Sequence, residues 1–287
     1  MKFLLSNDDG IQSVGLRTLA EAVRDLGEST IVAPDGERSA AGQSITLTRP
    51  LTARPWTPEG ATTPFGIGLD GTPADCVKFG ASQCMNDDVD LVLSGLNRGP
   101  NAGVSVLYSG TVAVATEAAI MGLPSIAFSV AAFEDLHWET GAAVARAVVR
   151  RYQEAHAQGY RMPRDVCWNV NIPNLPLSDI RGIRVVRMGE SRFREHYEQR
   201  LTPWGSPYYW MQGDLEERDL DAQTDLRALR DGYVSLTPLI LDRTARDLAA
   251  TASLFTDFKH DQGPCDSKTG GCDILSRAPA APASPQN

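Results

Sequence analysis

The chain has 287 residues, of which 42% are hydrophobic and 22% are charged, and its formal net charge is −9. These values are ordinary for a globular protein, and the length allows one large α/β domain with an appendage or two domains. The negative charge argues against binding to nucleic-acid backbones, which requires clustered Lys and Arg. A phosphorylated small molecule is still compatible with it, because a metal ion and backbone N–H groups supply positive potential locally.

Apolar runs and helical patterns alternate along the first half of the chain. Residues 2–6 form a continuous apolar run typical of a strand buried on both faces. Residues 14–26 then repeat apolar side chains at helical spacing, up to Gly27. The further predicted elements are strands at 30–33, 90–93 and 124–128 and a helix of small residues at 111–121. This alternation predicts a three-layer α/β/α fold with a Rossmann-like, mostly parallel sheet.

The second half has a less regular pattern. Its predicted elements are a helix at 140–157, strands at 166–172, 181–188 and 233–236, and a last helix at 244–254. Residues 193–211 are rich in Tyr, Trp, Pro and Gly, which indicates an extended excursion or hairpin. From about residue 262 the Gly, Ser, Pro and Ala content predicts a disordered tail.

Two adjacent acids, Asp8 and Asp9, follow the first strand. Neighbouring carboxylates repel each other unless a positive charge lies between them, and a hard divalent cation takes oxygen ligands of this kind. Ligands of open α/β sheets bind outside the carboxyl ends of the strands, where Asn97 also lies if residues 90–93 form a neighbouring parallel strand. The alternative is an Asp-Gly turn in which Asp8 only caps the next helix.

Two other polar segments are candidates for the same site. The loop at residues 34–46 offers the hydroxyls of Ser39 and Ser44, and its alternative interpretation is a solvated surface loop. Ser109 precedes the small-residue helix, where it would cap the helix while the free N–H groups of the first turn attract an anion. A cation held partly by hydroxyl groups would keep waters, and such a water is a natural nucleophile.

Residues 66–71 (GIGLDG), from Gly66 to Gly71, match the GxGxxG pattern of dinucleotide-binding loops. This match raises the alternative of an NAD(P)-dependent oxidoreductase. The fingerprint requires a strand before its first glycine and a helix that opens within it. Residues 65–69 instead have the pattern of a strand themselves, and Pro73 suits the first turn of the helix that follows.

Cysteine usage and hydropathy indicate a cytoplasmic protein that does not enter a membrane. The five cysteines are scattered without a CxxC pair or a zinc-ligand spacing. The sequence has no run of about 18 apolar residues, and its first residues have the pattern of a core strand rather than of a signal peptide.

Five ordered motifs of the first half together resemble the SurE (survival protein E) nucleotidases. They are residues 6–10 (SNDDG), 33–40 (APDGERSA), 71–77 (GTPADCV), 94–101 (SGLNRGPN) and 108–111 (YSGT). The resemblance extends through residues 207–210 (PYYW) and 232–238 (GYVSLTP) to about Lys259. It implies a single SurE-like α/β domain at 1–260, with a Rossmann-like core at about 1–135, an oligomerisation hairpin at about 190–212 and a tail at 261–287.

The resemblance also implies an activity, a cofactor and an assembly. The activity is the metal-dependent hydrolysis of nucleoside 5′- and 3′-monophosphates, and of short polyphosphate. One divalent cation per subunit, Mg²⁺, Mn²⁺ or another, would be held by Asp8, Asp9, Ser39 and Asn97. The implied catalytic residues are Asp8, Asp9, Asn101 and Ser109, and the implied phosphate contacts are Asn7, Ser109, Gly110 and Thr111. Protomers of the family pair through the hairpin and an exchanged C-terminal helix, so a homodimer or homotetramer is expected.

Two alternatives to the nucleotidase stay open at this stage. One is the oxidoreductase that residues 66–71 would serve. The other is a non-catalytic protein of the same fold that binds a nucleotide or a metal.

Overall fold

A nine-stranded sheet organises the protein, in a computed structural model that describes residues 1–218, 221–245 and 247–254. The strands pair in the order β3 (Ala53–Trp56), β4 (Gly66–Leu69), β2 (Glu28–Pro34), β1 (Lys2–Ser6), β5 (Leu91–Arg98), β6 (Ser125–Val130), β7 (Val166–Ile172), β11 (Val234–Ile240) and β8 (Ile183–Val185). The run from β4 to β7 is parallel. Only β3 against β4 and β11 against β7 pair in the antiparallel sense.

Helices cover both faces of this sheet. Within residues Met1–Asp242, which form one compact unit, the α-helices are α1 (Val14–Val23), α2 (Pro73–Phe79), α3 (Gly110–Ile120), α4 (Trp138–Ala157) and α5 (Asp225–Arg230). A second unit begins at Arg243 and contains the short helix α6 (Ala249–Ser253). Over the residues that the structure describes, no helix has the length and apolar character needed to cross a membrane.

Strand β1 shows why the sheet needs cover on both faces. Phe3 and Leu5 are fully buried in the cluster that α1 and α4 form, whereas Leu4 is fully buried in the cluster of α2 and α3. Because alternate side chains of a strand point to opposite faces, an apolar run of this kind requires a helix layer on each side. The predicted three-layer α/β/α fold is therefore confirmed.

Several elements differ from their predicted bounds or were not predicted: α5 was not predicted, β8 is shorter than predicted and β11 is longer. Strand β5 continues to Arg98, with a register shift between Ser94 and Asn97, so Asn97 lies at the end of the strand rather than in a loop. Strand β3 is an addition: it is an edge strand of four mostly exposed residues with Pro55 inside, a position where proline is tolerated and the apolar signal is weak. The predicted helix at 244–254 is reduced to α6.

A long hairpin follows β8. Its strands, β9 (Ser191–Leu201) and β10 (Pro207–Glu217), pair in register from Leu201–Pro207 to Ser191–Glu217. The aromatic segment predicted as a hairpin is thus confirmed and extends further at its C-terminal end. The predicted disordered tail at 261–287 lies outside the described residues.

Candidate active site

A polar cavity of about 330 Å³ lies at the carboxyl edge of the parallel strands. Asp8 and Asp9 follow β1, Asn97 is near the end of β5, and β1 and β5 are directly paired. The cavity is lined by six of the nine predicted site residues: Asp8, Asp9, Ser39, Asn97, Asn101 and Ser109. The structure therefore brings together side chains that are up to about a hundred residues apart in the chain.

Asp8 is buried against the start of α3. The hydroxyl of Thr111 donates a hydrogen bond to its Oδ1, and its own backbone carbonyl accepts from the N–H of Arg38 at 2.8 Å. Gly110 leaves room for this arrangement, since a Cβ atom at that position would lie only 2.8 Å from Asp8 Oδ2. Burial raises the pKa of the Asp8 carboxyl above its ordinary value.

Asp9 places a second carboxylate next to that of Asp8. Burial and the neighbouring charge of Asp8 raise the pKa of Asp9 to about 6, although Arg98 acts in the opposite direction. Two adjacent acids with raised pKa values indicate a site with too little positive charge of its own. This shortage fits a divalent cation, which would favour the ionised form of both groups.

Besides Asp8 and Asp9, the cavity is lined by one more carboxylate, Glu37, and by neutral oxygen ligands. The Ser39 hydroxyl is exposed and donates to Glu37 Oε1 at 2.7 Å. Asn97 donates through its Nδ2 to the carbonyls of Gly99 at 2.8 Å and Arg98 at 3.2 Å, which leaves its Oδ1 as the ligand atom. Within the described residues no cluster of three or more Asp, Glu, His or Cys could hold a metal ion, so a cation at Asp8 and Asp9 would also need amide and hydroxyl oxygens.

Ser44 and Asn7 lie elsewhere than their predictions placed them. The Ser44 hydroxyl donates to the carbonyl of Ala41 at 3.0 Å, and the residue does not line the cavity. The side chain of Asn7 closes the turn after β1: its Nδ2 donates to Ser13 Oγ at 2.7 Å, and its Oδ1 accepts from the N–H of Gly10 at 3.2 Å. Asn7 therefore organises the turn that presents Asp8, and its contact with a phosphate stays a prediction.

Asn101 is held rigidly by polar groups of β6 and β7. Its Nδ2 donates to Ser129 Oγ at 2.9 Å, and its backbone N–H donates to Asn171 Oδ1 at 2.7 Å. Its carbonyl accepts from Asn169 at 2.7 Å and from Asn171 at 3.1 Å. These supporting residues were not predicted from the sequence, although alternating Asn side chains in an otherwise apolar strand were their signal.

The start of α3 supplies the next group of polar atoms. The Ser109 Oγ caps the helix by accepting from the N–H of Val112 at 3.0 Å, and the residue also lines the cavity. Thr111 is fully buried with its hydroxyl committed to Asp8. The backbone N–H of Thr111 is also directed at Asp8, where its hydrogen bond acts to lower the pKa of the carboxyl. An anion here would therefore meet the N–H of Gly110 and the hydroxyl of Ser109.

The short 3₁₀ turn Gly103–Leu107 lies between Asn101 and Ser109, and hydrogen bonds to residues far away in the sequence hold it in place. Asp225 is fully buried, and its Oδ2 accepts from the N–H of Gly103 at 2.9 Å. Ser191, the first residue of β9, accepts from the N–H of Val104 at 2.8 Å. A Cβ atom on Gly103 would lie 2.4 Å from Ser191 Oγ, so only glycine allows this close approach.

The glycines of residues 66–71 do not form a phosphate-binding turn. Gly66 and Gly68 are inside β4, and the helix that follows starts only at Pro73, with Thr72 as its cap. A dinucleotide fingerprint would place its first glycine after the strand. The prediction that this run is a strand followed by a helix with Pro73 in its first turn is confirmed.

Fold and site together define a Rossmann-like α/β/α protein with an acidic, oxygen-rich cavity at the carboxyl edge of its sheet. Residues 3–195 match the family model described as "Survival protein SurE". The chain therefore belongs to the SurE family.

Relatives with known names support this membership over most of the chain. A 5′-nucleotidase SurE of Syntrophobacter fumaroxidans is 43% identical over 251 residues, which cover 88% of this chain and 98% of the relative. A 5′-nucleotidase SurE of Carboxydothermus hydrogenoformans is 42% identical over 85% of this chain and 92% of the relative. The crystal structure of the SurE protein from Aquifex aeolicus superposes with a TM-score of 0.76 at 39% identity, covering 90% of this chain and all of that one.

The raised pKa of Asp9 gives the metal-free protein a pH-dependent stability. As the pH rises from about 4 to above 6, the unfolded chain loses the Asp9 proton first, so the free energy of unfolding falls by about 2 kcal/mol. We expect Asp9→Asn to remove this contribution. In EDTA, thermal unfolding should show the variant gaining stability relative to the wild type between pH 4.5 and pH 7; a constant difference would contradict the prediction.

Proposed function

We propose that this chain is a 5′-nucleotidase that hydrolyses nucleoside 5′-monophosphates with one divalent cation held by Asp8, Asp9, Ser39 and Asn97. The observation that carries the proposal is the pair of adjacent carboxylates, Asp8 buried and Asp9 half-buried, with raised pKa values in a cavity that amide and hydroxyl groups also line. Similarity to proteins named 5′-nucleotidase SurE over more than four-fifths of the chain supports the nucleotide as substrate.

The residues around the cavity divide the work of binding and orientation. When bound, the cation would neutralise phosphate charge and lower the pKa of an attacking water. Asp8 and Asp9 would fix its position, because Thr111 and the turn closed by Asn7 hold Asp8 in place. Mg²⁺ and Mn²⁺ both suit a set of two carboxylates and neutral oxygens that keeps several waters.

The phosphate would be held on the other side of the same cavity. Ser109 and the N–H of Gly110 would bind the phosphate, and Asn101 would contribute an amide fixed by the network of β6 and β7. Preorganised donors of this kind stabilise charge in the transition state without reorganising during the reaction.

The finer features of the proposal follow the family resemblance. Hydrolysis of 3′-monophosphates and short polyphosphate would use the same phosphate site. The protein would act in the cytoplasm. We further propose that a second copy of this chain covers exposed aromatic side chains of the β9–β10 hairpin, which include Tyr197, Tyr209 and Trp210, each more than half exposed. Molar mass in solution tests the dimer or tetramer, and a monomer at micromolar concentration would contradict it.

Metal removal is the direct test of the proposed reaction. Phosphate release from AMP should be abolished by EDTA and restored by an excess of Mg²⁺ or Mn²⁺, because the carboxylates alone cannot activate water. Release that is unchanged in EDTA would contradict the metal dependence. Binding of AMP without any phosphate release, with all cations tested, would favour the non-catalytic alternative.

A further inference from the structure

Two large aromatic side chains are exposed at the cavity that contains Asp8 and Asp9. Phe133, in the loop between β6 and α4, is 67% exposed, and Tyr108, just before Ser109, is 63% exposed. Exposed apolar residues are common singly on protein surfaces and then need no explanation. Here both side chains line the same cavity, so a ligand bound in that cavity could contact them.

Phe133 occupies a defined place rather than a free position on the surface. Its ring lies directly against the backbone of Gly99, because a Cβ atom on Gly99 would be 2.4 Å from Phe133 Cε1. The backbone of Gly99 is itself fixed: its N–H donates to the carbonyl of Val130 at 3.0 Å, and its carbonyl accepts from Asn97 Nδ2 at 2.8 Å. The ring therefore packs against Gly99, a residue that lies two positions from Asn97 and two from Asn101 along the chain.

The lining of the cavity combines two chemistries. Carboxylates, amides and the start of α3 supply polar groups, whereas Gly99, Pro100, Tyr108 and Phe133 supply uncharged surface. A phosphate bound among the polar groups would leave the rest of its molecule in the same cavity, next to this uncharged surface. An aromatic base is the part of a nucleotide that gains from such a surface, since its π-face stacks on aromatic side chains.

We infer that Phe133, with Tyr108, forms the binding site for the base of the nucleotide and thereby determines the preference of the enzyme for nucleotides over other phosphomonoesters. This inference rests on the proposed function and adds the contact that recognises the base. Because every base has a π-face, a stacking site of this kind accepts purines and pyrimidines alike. It discriminates instead against phosphate esters that have no aromatic base.

The test compares AMP with ribose 5-phosphate, which has the same phosphate and sugar without the base. We expect Phe133→Ala to lower kcat/KM for AMP about tenfold, mainly through KM, as loss of one stacking contact does. Ribose 5-phosphate should change less than twofold. Phe133→Trp, which keeps an aromatic face, should retain the activity on AMP. Leu177→Ala, a truncation of an apolar residue that is 52% exposed and does not line the cavity, serves as the control for both substrates.

Each other result has a distinct meaning. An equal loss on both substrates would overturn the inference, because Phe133 would then shape the phosphate end of the cavity. Unchanged kcat/KM for AMP in Phe133→Ala would overturn it as well, since the base would lie elsewhere. A wild-type protein that releases phosphate from neither compound contradicts the proposed function itself, and the base site falls with it.

Discussion

Replacement of Asp8 or Asp9 by Asn should lower phosphate release from AMP by at least about a hundredfold. Even changes to residues that only support a metal ligand cost tenfold to a hundredfold in metal affinity or activity, and these two carboxylates supply all the negative charge in the proposed ligand set. An amide keeps the shape and one oxygen of the carboxylate, so the loss reflects charge rather than packing. Initial rates with saturating Mg²⁺ or Mn²⁺ measure the effect.

Stability provides the second readout for the same two variants. Burial raises the pKa of both acids, which means that their ionised forms cost stability in the folded, metal-free protein. Each Asn variant should therefore unfold in EDTA at the wild-type temperature or above it, and added Mg²⁺ should no longer raise that temperature. Asp88→Asn removes an exposed carboxylate at the opposite edge of the sheet and is the matched control. Full activity of Asp8→Asn and Asp9→Asn would refute the assignment.

The position of these two acids could be predicted because it follows from a general rule about parallel sheets. The apolar run of β1 predicts a doubly covered strand, and a doubly covered strand implies parallel neighbours whose carboxyl ends meet at one edge. The pairing of β1 with β5, with Ser6 opposite Ser94, is what brings Asn97 near Asp8. Local pattern and topology were sufficient for this part of the cavity.

Other parts of the site depend on contacts that no local pattern encodes. The hydrogen bond from Thr111 to Asp8 spans 103 residues, and the bond from Gly103 to Asp225 spans 122. Residues 6–10 alone also do not show that the Asn7 side chain closes the turn after β1. Phe133 follows its strand in an irregular loop without periodicity, so only the folded structure places it at the cavity.

Asp225→Asn is expected to uncouple the turn Gly103–Leu107 from the rest of the protein. One carboxylate oxygen of Asp225 accepts from the N–H groups of Gly189 and Leu226, each at 2.8 Å, and the other accepts from Gly103. Asn has a single carbonyl oxygen. Its least costly orientation keeps the hydrogen bonds from Gly189 and Leu226 and turns the amide NH₂ toward the N–H of Gly103. Two donors then face each other in a buried place, which should cost about 2 kcal/mol of unfolding free energy.

The same change should reach the reaction, because the turn connects Asn101 with Ser109. Turnover of AMP in Asp225→Asn is expected to fall about tenfold, since the donors on either side of a loosened turn lose their preorganisation. Initial rates as a function of AMP concentration, combined with urea unfolding, separate this effect from lost stability. Ser191→Ala, which removes the acceptor of the Val104 N–H, should shift kcat in the same direction by a smaller factor.

Thr224 offers the control that makes this test decisive. It is as buried as its neighbour Asp225, and its hydroxyl caps α5 by accepting from the N–H of Arg227. Thr224→Ala should cost about 1 kcal/mol of stability through the lost cap while leaving the bond from Asp225 to Gly103 in place, and kcat should stay at the wild-type value. If both variants lose stability and both keep kcat, Asp225 only holds the fold together. A loss of kcat confined to Asp225→Asn and Ser191→Ala would mean that Asp225 and Ser191 position the turn Gly103–Leu107 for catalysis. Because Ser191 is the first residue of the β9–β10 hairpin, assembly of protomers through the hairpin would then also affect this turn.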